Sequence, residues 1–127
     1  PFPISMTDSR LDLGRQAEVT AEKYLTKKGY RLIERNYRCA LGEIDLVMED
    51  GETLVFVEVK GGRVDPDFSP MDHLDDKKRR KLLMLGKLYL CRFKGDPNVR
   101  FDLVTVTQDG PKFHIDHVED VVQDPFP

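Results

Sequence analysis

Hydrophobic positions along the chain follow two rhythms, a helical one near each of two basic stretches and a strand-like one in the segments between. Leu13, Ala17, Ala21 and Tyr24 or Leu25 recur at helical spacing. That stripe predicts a first helix from near Thr7 to Ser9, where polar caps are available, to Lys28, with Gly29 as its stop. Arg31 to Tyr37, Glu43 to Met48 and Thr53 to Lys60 then read as three strands, and Gly61 to Pro70 as a loop placed like a flap over a site. A second helix is predicted from Asp72 to Phe93, opened by Asp72, Asp75 and Asp76 and stopped by Lys94-Gly95-Asp96-Pro97. Leu82, Leu85, Leu88 and Tyr89 would face the sheet, leaving Lys78, Arg79 and Lys81 toward solvent or a phosphate backbone. Asn98 to Thr107 and Lys112 to Val118 complete the pattern as two strands around Gln108-Asp109-Gly110. The order α-β-β-β-α-β-β, with a helix crossing between the third and fourth strands, implies an α/β fold with a mixed sheet flanked by helices.

Asp50-Gly51, between Leu46-Val47-Met48 and Leu54-Val55-Phe56, predicts a hairpin with a two-residue turn. In that register Glu49 opposes Glu52, Asp45 opposes Phe56 and Glu43 opposes Glu58. Side chains alternate along a strand, so Glu43, Asp45, Phe56, Glu58 and Lys60 share one face. Asp45 is then diagonal to Glu58, at roughly 7–8 Å.

Two carboxylates at that separation can share a divalent ion. Hydrolysis of a phosphodiester needs hydroxide delivered to an anionic phosphorus, and carboxylate-held Mg²⁺ is suited to both the charge and the water. A lysine beside it can orient or deprotonate the nucleophile, or neutralise developing charge. An isolated Glu-x-Lys is most often a solvated surface pair worth about 0–1 kcal/mol. Here Glu58 and Lys60 end the apolar run Val55-Phe56-Val57, and Asp45 lies in matching register, so the charges call for a partner or a metal. His114 and His117 fall on opposite strand faces and are discounted as joint ligands, His73 is read as a cap-region residue, and Asp102 is read as a structural partner of Arg100.

Composition narrows the classes. The 127 residues suit one domain, 1–127, with 1–8 as a flexible tail, and no apolar run approaches the ~18 residues of a membrane span. No leader sequence is recognised. Cys39 and Cys91 lie in no Cys-x-x-Cys or His/Cys cluster, which points to a reducing, cytoplasmic setting. A net charge of −3 argues against a uniformly basic nucleic-acid coat. The cations are nonetheless segregated: Lys77-Lys78-Arg79-Arg80-Lys81 is a run of five, and Arg15 to Arg38 is also rich in them. Such a distribution fits a basic rim round an acidic pocket as well as it fits a solvated helix face.

Leu13-Gly14-Arg15 with Glu18, Asn36-Tyr37-Arg38, Gly42-Glu43-Ile44-Asp45-Leu46, Val55-Phe56-Val57-Glu58-Val59-Lys60 and Arg100-Phe101-Asp102-Leu103-Val104 together resemble the YraN-like family. The resemblance runs from about Leu13 to Val121. That family is uncharacterised, and its fold is similar to the restriction-endonuclease-like PD-(D/E)XK nuclease superfamily, near the Holliday-junction resolvases. The resemblance implies a Mg²⁺- or Mn²⁺-dependent endonuclease acting on DNA, at branched or damaged structures. It implies Asp45 and Glu58 as metal ligands, Lys60 as the catalytic lysine and Glu18 as an additional acid holding a water or second metal. Arg63, Lys77, Arg79, Arg80 and Lys81 are the expected phosphate contacts, and a homodimer is the assembly by which resolvase-like enzymes commonly cut two strands. Two departures stand out: Ala17 where the family has glycine before Glu18, and Gly61-Gly62 before Arg63 where it has one residue before the arginine. A non-catalytic nucleic-acid-binding module on the same fold is the alternative, and a protein-interaction domain is a third.

Overall fold

The computed structural model describes residues 9–63, 72 and 74–122. Its elements are α1 (Ser9–Lys27), β1 (Arg31–Cys39), β2 (Gly42–Asp50), β3 (Thr53–Arg63), α2 (Asp76–Leu90), β4 (Asn98–Asp109) and β5 (Lys112–Val118). This is the expected α-β-β-β-α-β-β order. The five strands form one mixed sheet in the order β1-β2-β3-β4-β5. Neighbours are antiparallel except β3 and β4, which are parallel and joined through α2, as a crossover requires.

Each helix covers one face. Ala17, Ala21 and Leu25 of α1 pack with Leu46, Met48, Val55, Val57, Val104 and Val106. Leu82, Leu85 and Tyr89 of α2 pack with Val47, Leu54, Phe56, Phe101 and Leu103 on the other side. Strand β3 is central and covered on both faces, which is why it reads as the continuous apolar run Leu54 to Val57. Among the described residues no helix is long and apolar enough to cross a membrane.

The helix ends obey local chemistry. At the end of α1, Tyr30 N–H donates to Leu25 O and Gly29 N–H to Thr26 O, each at 3.0 Å, with Gly29 at φ +100°. That is a Schellman stop, in which glycine adopts the left-handed conformation without steric cost. Helix α2 begins later than its acids imply: Asp75 is the cap, accepting from Lys78 N–H at 2.8 Å, and Asp72 lies outside the helix. Leu88, expected against the sheet, is 41% exposed, and Gly86 is buried in its stead.

Gly86 marks the closest approach of α2 to the sheet. A Cβ added there would lie 2.6 Å from Phe101 Cζ and 3.1 Å from Phe56 Cε2. Gly86→Ala is therefore expected to destabilise by about 1–3 kcal/mol through overpacking, against an intrinsic helical preference of about 1 kcal/mol for alanine. A urea midpoint equal to or above that of the wild type would show that the two rings can give way.

The hairpin differs from its expected register. Asp50 pairs with Thr53 and Leu46 with Val57, so the loop is Gly51-Glu52 rather than Asp50-Gly51. Gly51 has φ +60° and neither Asp50 nor Glu52 is left-handed. A turn with glycine as its first central residue is of type II′, whereas an Asp50-Gly51 loop of type I′ would need Asp50 left-handed as well. Every β2 residue thus meets a partner two places farther along β3. A shift of two keeps every side chain on its face.

Gly61 and Gly62, expected to open a loop, continue β3 in the parallel ladder as far as Arg63, which pairs with Gln108. Gly61 passes close beneath α1, where a Cβ would lie 2.7 Å from that of Ala17. The rest of the expected flap, residues 64–70, lies outside the described residues, as do His73, the side chain of Arg63 and residues 1–8.

Candidate active site

Where the β2–β3 ladder stops, backbone donors are released. The last recorded pair is Leu46 with Val57, and beyond it Val59 N–H donates to Asp45 Oδ2 at 2.8 Å. Alternation in β2 breaks at the same place, Ile44 packing on the α2 side and Leu46 on the α1 side. Asp45 therefore turns its carboxylate to the middle of β3. There it lies near Glu58, which is 8% exposed.

Burial pushes the Asp45 carboxyl up to about 8, the negative charge of Glu58 adds to that, and the Val59 N–H opposes it. Glu18 adds a weaker push in the same direction. Two cations flank Glu58: Lys60 Nζ lies 3.8 Å and Lys78 Nζ 3.6 Å from its Oε1. Lys78 is drawn below the usual lysine range, first by burial and then by a hydrogen bond with Lys60, with Glu58 pulling the other way. Glu43, Asp45, Glu58, Lys78, Lys81, Leu82 and Leu85 line a cleft of about 210 Å³ between the sheet and α2.

A second layer supports this pair. Asn36, left-handed at φ +52° within β1, donates from Nδ2 to Glu18 Oε1 and to Glu43 Oε1, both at 2.7 Å. Asparagine tolerates that conformation better than most residues. It thereby ties α1 to β2 beside the cleft, and Arg38 Nε adds an ion pair to Glu43 at 3.3 Å.

The structure brings together Asp45, Glu58 and Lys60 although the hairpin register differs from the expected one by two residues. Glu18 stands apart. Among the described residues the one trio of His, Cys, Asp or Glu side chains whose ligand atoms all lie within 4.8 Å is Asp102, His117 and Glu119, so Glu18 does not converge with Asp45 and Glu58. Of the expected phosphate contacts, Lys77, Arg80 and Lys81 are exposed. Arg79 is only partly so: it lies 3.4 Å from Asp76, and its Nε is buried with no partner among the described residues. Lys78, assigned to the solvent side because Leu82, Leu85, Leu88 and Tyr89 would face the sheet, is instead turned into the cleft. A signal was present, since Lys78, Leu82, Leu85 and Tyr89 fall on one stripe at helical spacing.

The Asp102 trio is a hydrogen-bonded lock. Asp102 Oδ1 accepts from Arg100 Nε at 2.9 Å and Asp120 N–H at 3.1 Å, while Oδ2 accepts from Arg100 Nη2 at 3.0 Å and His117 Nε2 at 2.7 Å. Lys28 Nζ lies 3.0 Å from the other ring nitrogen of His117 and can only donate, so the network assigns a neutral ring with its proton on Nε2. Burial works to raise the Asp102 carboxyl, but the bonds from His117, Arg100 and Asp120 N–H hold it below the usual range. With both oxygens doubly engaged, Asp102 has no lone pair left for a metal. Arg100, read as its partner, is confirmed in that role; His117, discounted as a ligand, is the part of the lock that a strand-face argument does not reveal.

Comparisons with known proteins agree with the family resemblance. The model of a family described as "Uncharacterised protein family UPF0102" matches residues 17–106. A UPF0102 protein of Thermotoga petrophila is 44% identical over 107 residues, 84% of this chain and 94% of the relative. One from Ectopseudomonas mendocina is 42% identical over 105 residues, 80% and 87% of the two chains. One from Nitrosococcus oceani is 44% identical over 100 residues, 77% and 81% of the two.

Proposed function

Because the chain belongs to the uncharacterised protein family UPF0102, whose description names no activity, we propose its function from the site: a metal-dependent endonuclease hydrolysing DNA phosphodiester bonds, at branched or damaged DNA. The observation that carries this reading is the Asp45–Glu58 pair, a half-buried and a buried acid set close together beside β3, with Lys60 next to Glu58. Structural ion pairs seldom set two carboxylates together at the cost of an elevated Asp45. Hard oxygen donors of this kind suit Mg²⁺ or Mn²⁺, and a divalent charge would relieve the repulsion that burial imposes.

Asp45 and Glu58 would hold the ion, which when bound supplies Lewis acidity toward a phosphoryl oxygen and acidifies a water. Val59 N–H fixes one Asp45 oxygen, leaving the other for the cleft. Glu18, held by Asn36 outside the pair, contributes negative charge from α1 and would position a water. Lys60 orients the attacking water or neutralises charge on the phosphate. Lys77 and Arg80 on the exposed face of α2, Lys81 at the rim of the cleft, and Arg63 would contact neighbouring phosphates; Arg79, engaged with Asp76, is the weakest member of that set. The partner is DNA, the compartment the cytoplasm, consistent with two free cysteines, and the enzyme would pair as a homodimer to cut two strands.

Incubation of the full chain with a four-way DNA junction and Mn²⁺ or Mg²⁺ tests the reading. Cleavage by the wild type, lost in Lys60→Ala by a factor on the order of 10²–10⁴ with DNA binding retained, is expected. If the wild type cuts neither DNA nor RNA with either metal yet binds in a salt-sensitive way, the binding-module alternative takes its place.

A further inference from the structure

We propose that Lys78 is a second phosphate-contacting lysine of this site, so that α2 supplies a cationic wall facing the acidic floor laid down by β2 and β3. The inference rests on the endonuclease reading and adds a substrate contact that the Asp, Glu and Lys of the two strands do not provide.

Position is the first argument. Lys78 occupies the stripe that continues through Leu82, Leu85 and Tyr89, three residues that pack on the sheet at 4% exposure or less. An aliphatic side chain in that place would extend the core, and a lysine instead forfeits solvation. Its ammonium is not there merely to neutralise Glu58. Lys60 already serves that carboxylate from 3.8 Å, and Lys78 adds a second cation at 3.6 Å to the same oxygen, Glu58 Oε1. Two ammonium groups gathered at one carboxylate oxygen repel each other. Two ammonium groups converging on one oxygen can hold an incoming phosphate between them.

Access is the second argument. The Lys78 side chain is 31% exposed and borders the cleft with Lys81, opposite Asp45 and Glu58. An ammonium with three donors can keep its contact with Glu58 while directing another proton to a phosphate oxygen. The cap bond from Lys78 N–H to Asp75 at 2.8 Å fixes the start of the side chain on the first turn of α2, so the contact comes from a rigid element. The phosphate would thus be gripped from the helix side by Lys78 and from the sheet side by the carboxylate-bound ion.

Three measurements on Lys78→Ala, Lys78→Arg and the remote surface control Lys112→Ala test this. Affinity for a DNA junction in Ca²⁺, which supports binding without turnover, is measured against salt. In Lys78→Ala the slope of log affinity against log salt should fall by about one, and Lys78→Arg should restore it. Single-turnover cleavage in Mn²⁺ should fall on the order of 10²–10³-fold in Lys78→Ala. Mn²⁺ affinity, from calorimetry without DNA, should stay within about threefold of the wild type, as for Lys112→Ala. An unchanged salt slope in Lys78→Ala overturns the proposal, and so does loss of Mn²⁺ binding, which would make Lys78 a support for the acids. Should the wild type cleave nothing, the endonuclease reading fails while the salt slope alone decides the contact.

Discussion

Asp102→Asn is expected to be among the most destabilising single substitutions in this protein, at about 3–5 kcal/mol, because it removes the charge from a fully buried ion network. The Asp102 side chain has no solvent exposure, and its two oxygens take four hydrogen bonds from Arg100, His117 and the Asp120 backbone. An amide offers one acceptor where two are used, and its NH₂ group would confront donors of Arg100 or His117. With total stability of about 5–15 kcal/mol for a domain of this kind, the melting temperature should fall by on the order of 10–20 °C. Acid should erase the difference. Asp102 ionises below the usual range, so its contribution is fully present above the unfolded value near pH 4 and is lost as pH falls through the lower native value. A urea midpoint at pH 7 within about 1 kcal/mol of the wild type would sink the view that this network locks β4, β5 and the end of α1 together.

Asp45→Asn should do the opposite to stability while abolishing function. The Asp45 carboxyl has an ordinary value of 3.8 and is raised to about 8 in the fold. A raised native value means that stability is intact below pH 3.8, declines as pH climbs toward 8, and levels off beyond. Asparagine mimics the protonated acid and keeps an acceptor for Val59 N–H. The metal-free variant should therefore match the wild type near pH 4 and exceed it by on the order of 1–3 kcal/mol at pH 8. Mn²⁺ should invert the ranking: it stabilises the wild type by mass action and leaves the variant unmoved, with cleavage down by a factor on the order of 10³ or more. Thermal melts at pH 4 and pH 8, with and without Mn²⁺, check both halves. A metal-free variant less stable than the wild type at pH 8 would mean that Asp45 is a structural acid.

Most of the site was legible because strand periodicity forgives an even-numbered error. The Asp50-Gly51 turn misplaces β3 by two residues, yet Asp45 and Glu58 stay on one face, and the true register brings them nearer than the diagonal first drawn. The helices were legible from their stripes, except where one glycine and one lysine interrupt them. Gly86 is buried because aromatic rings of β3 and β4 occupy the space a side chain would need, and Leu88, one turn beyond Met84, is displaced to the surface. Lys78 was hidden by its neighbours: in a run of five cations, helical phase alone sets Lys78 and the cleft-lining Lys81 apart from those facing water. Asn36 and His117 were beyond local reasoning. The first depends on a left-handed residue inside a strand, and the second on partners 15 and 89 positions away.

Placement of the reactive groups along the topology also bears on the order in which they come together as the chain folds. Strands β1, β2 and β3 form a meander joined by tight turns, whereas β4 reaches β3 only after the long excursion through α2. Nearby pairings cost little loop-closure entropy and distant ones cost more, so the meander is the kinetically accessible half. Asp45 and Glu58 both belong to it; Lys78 arrives with the crossover. A nascent chain would thus present its paired acids before the lysine that partly screens them. Divalent ions should accordingly accelerate refolding of the wild type and leave the rate of Asp45→Asn unchanged.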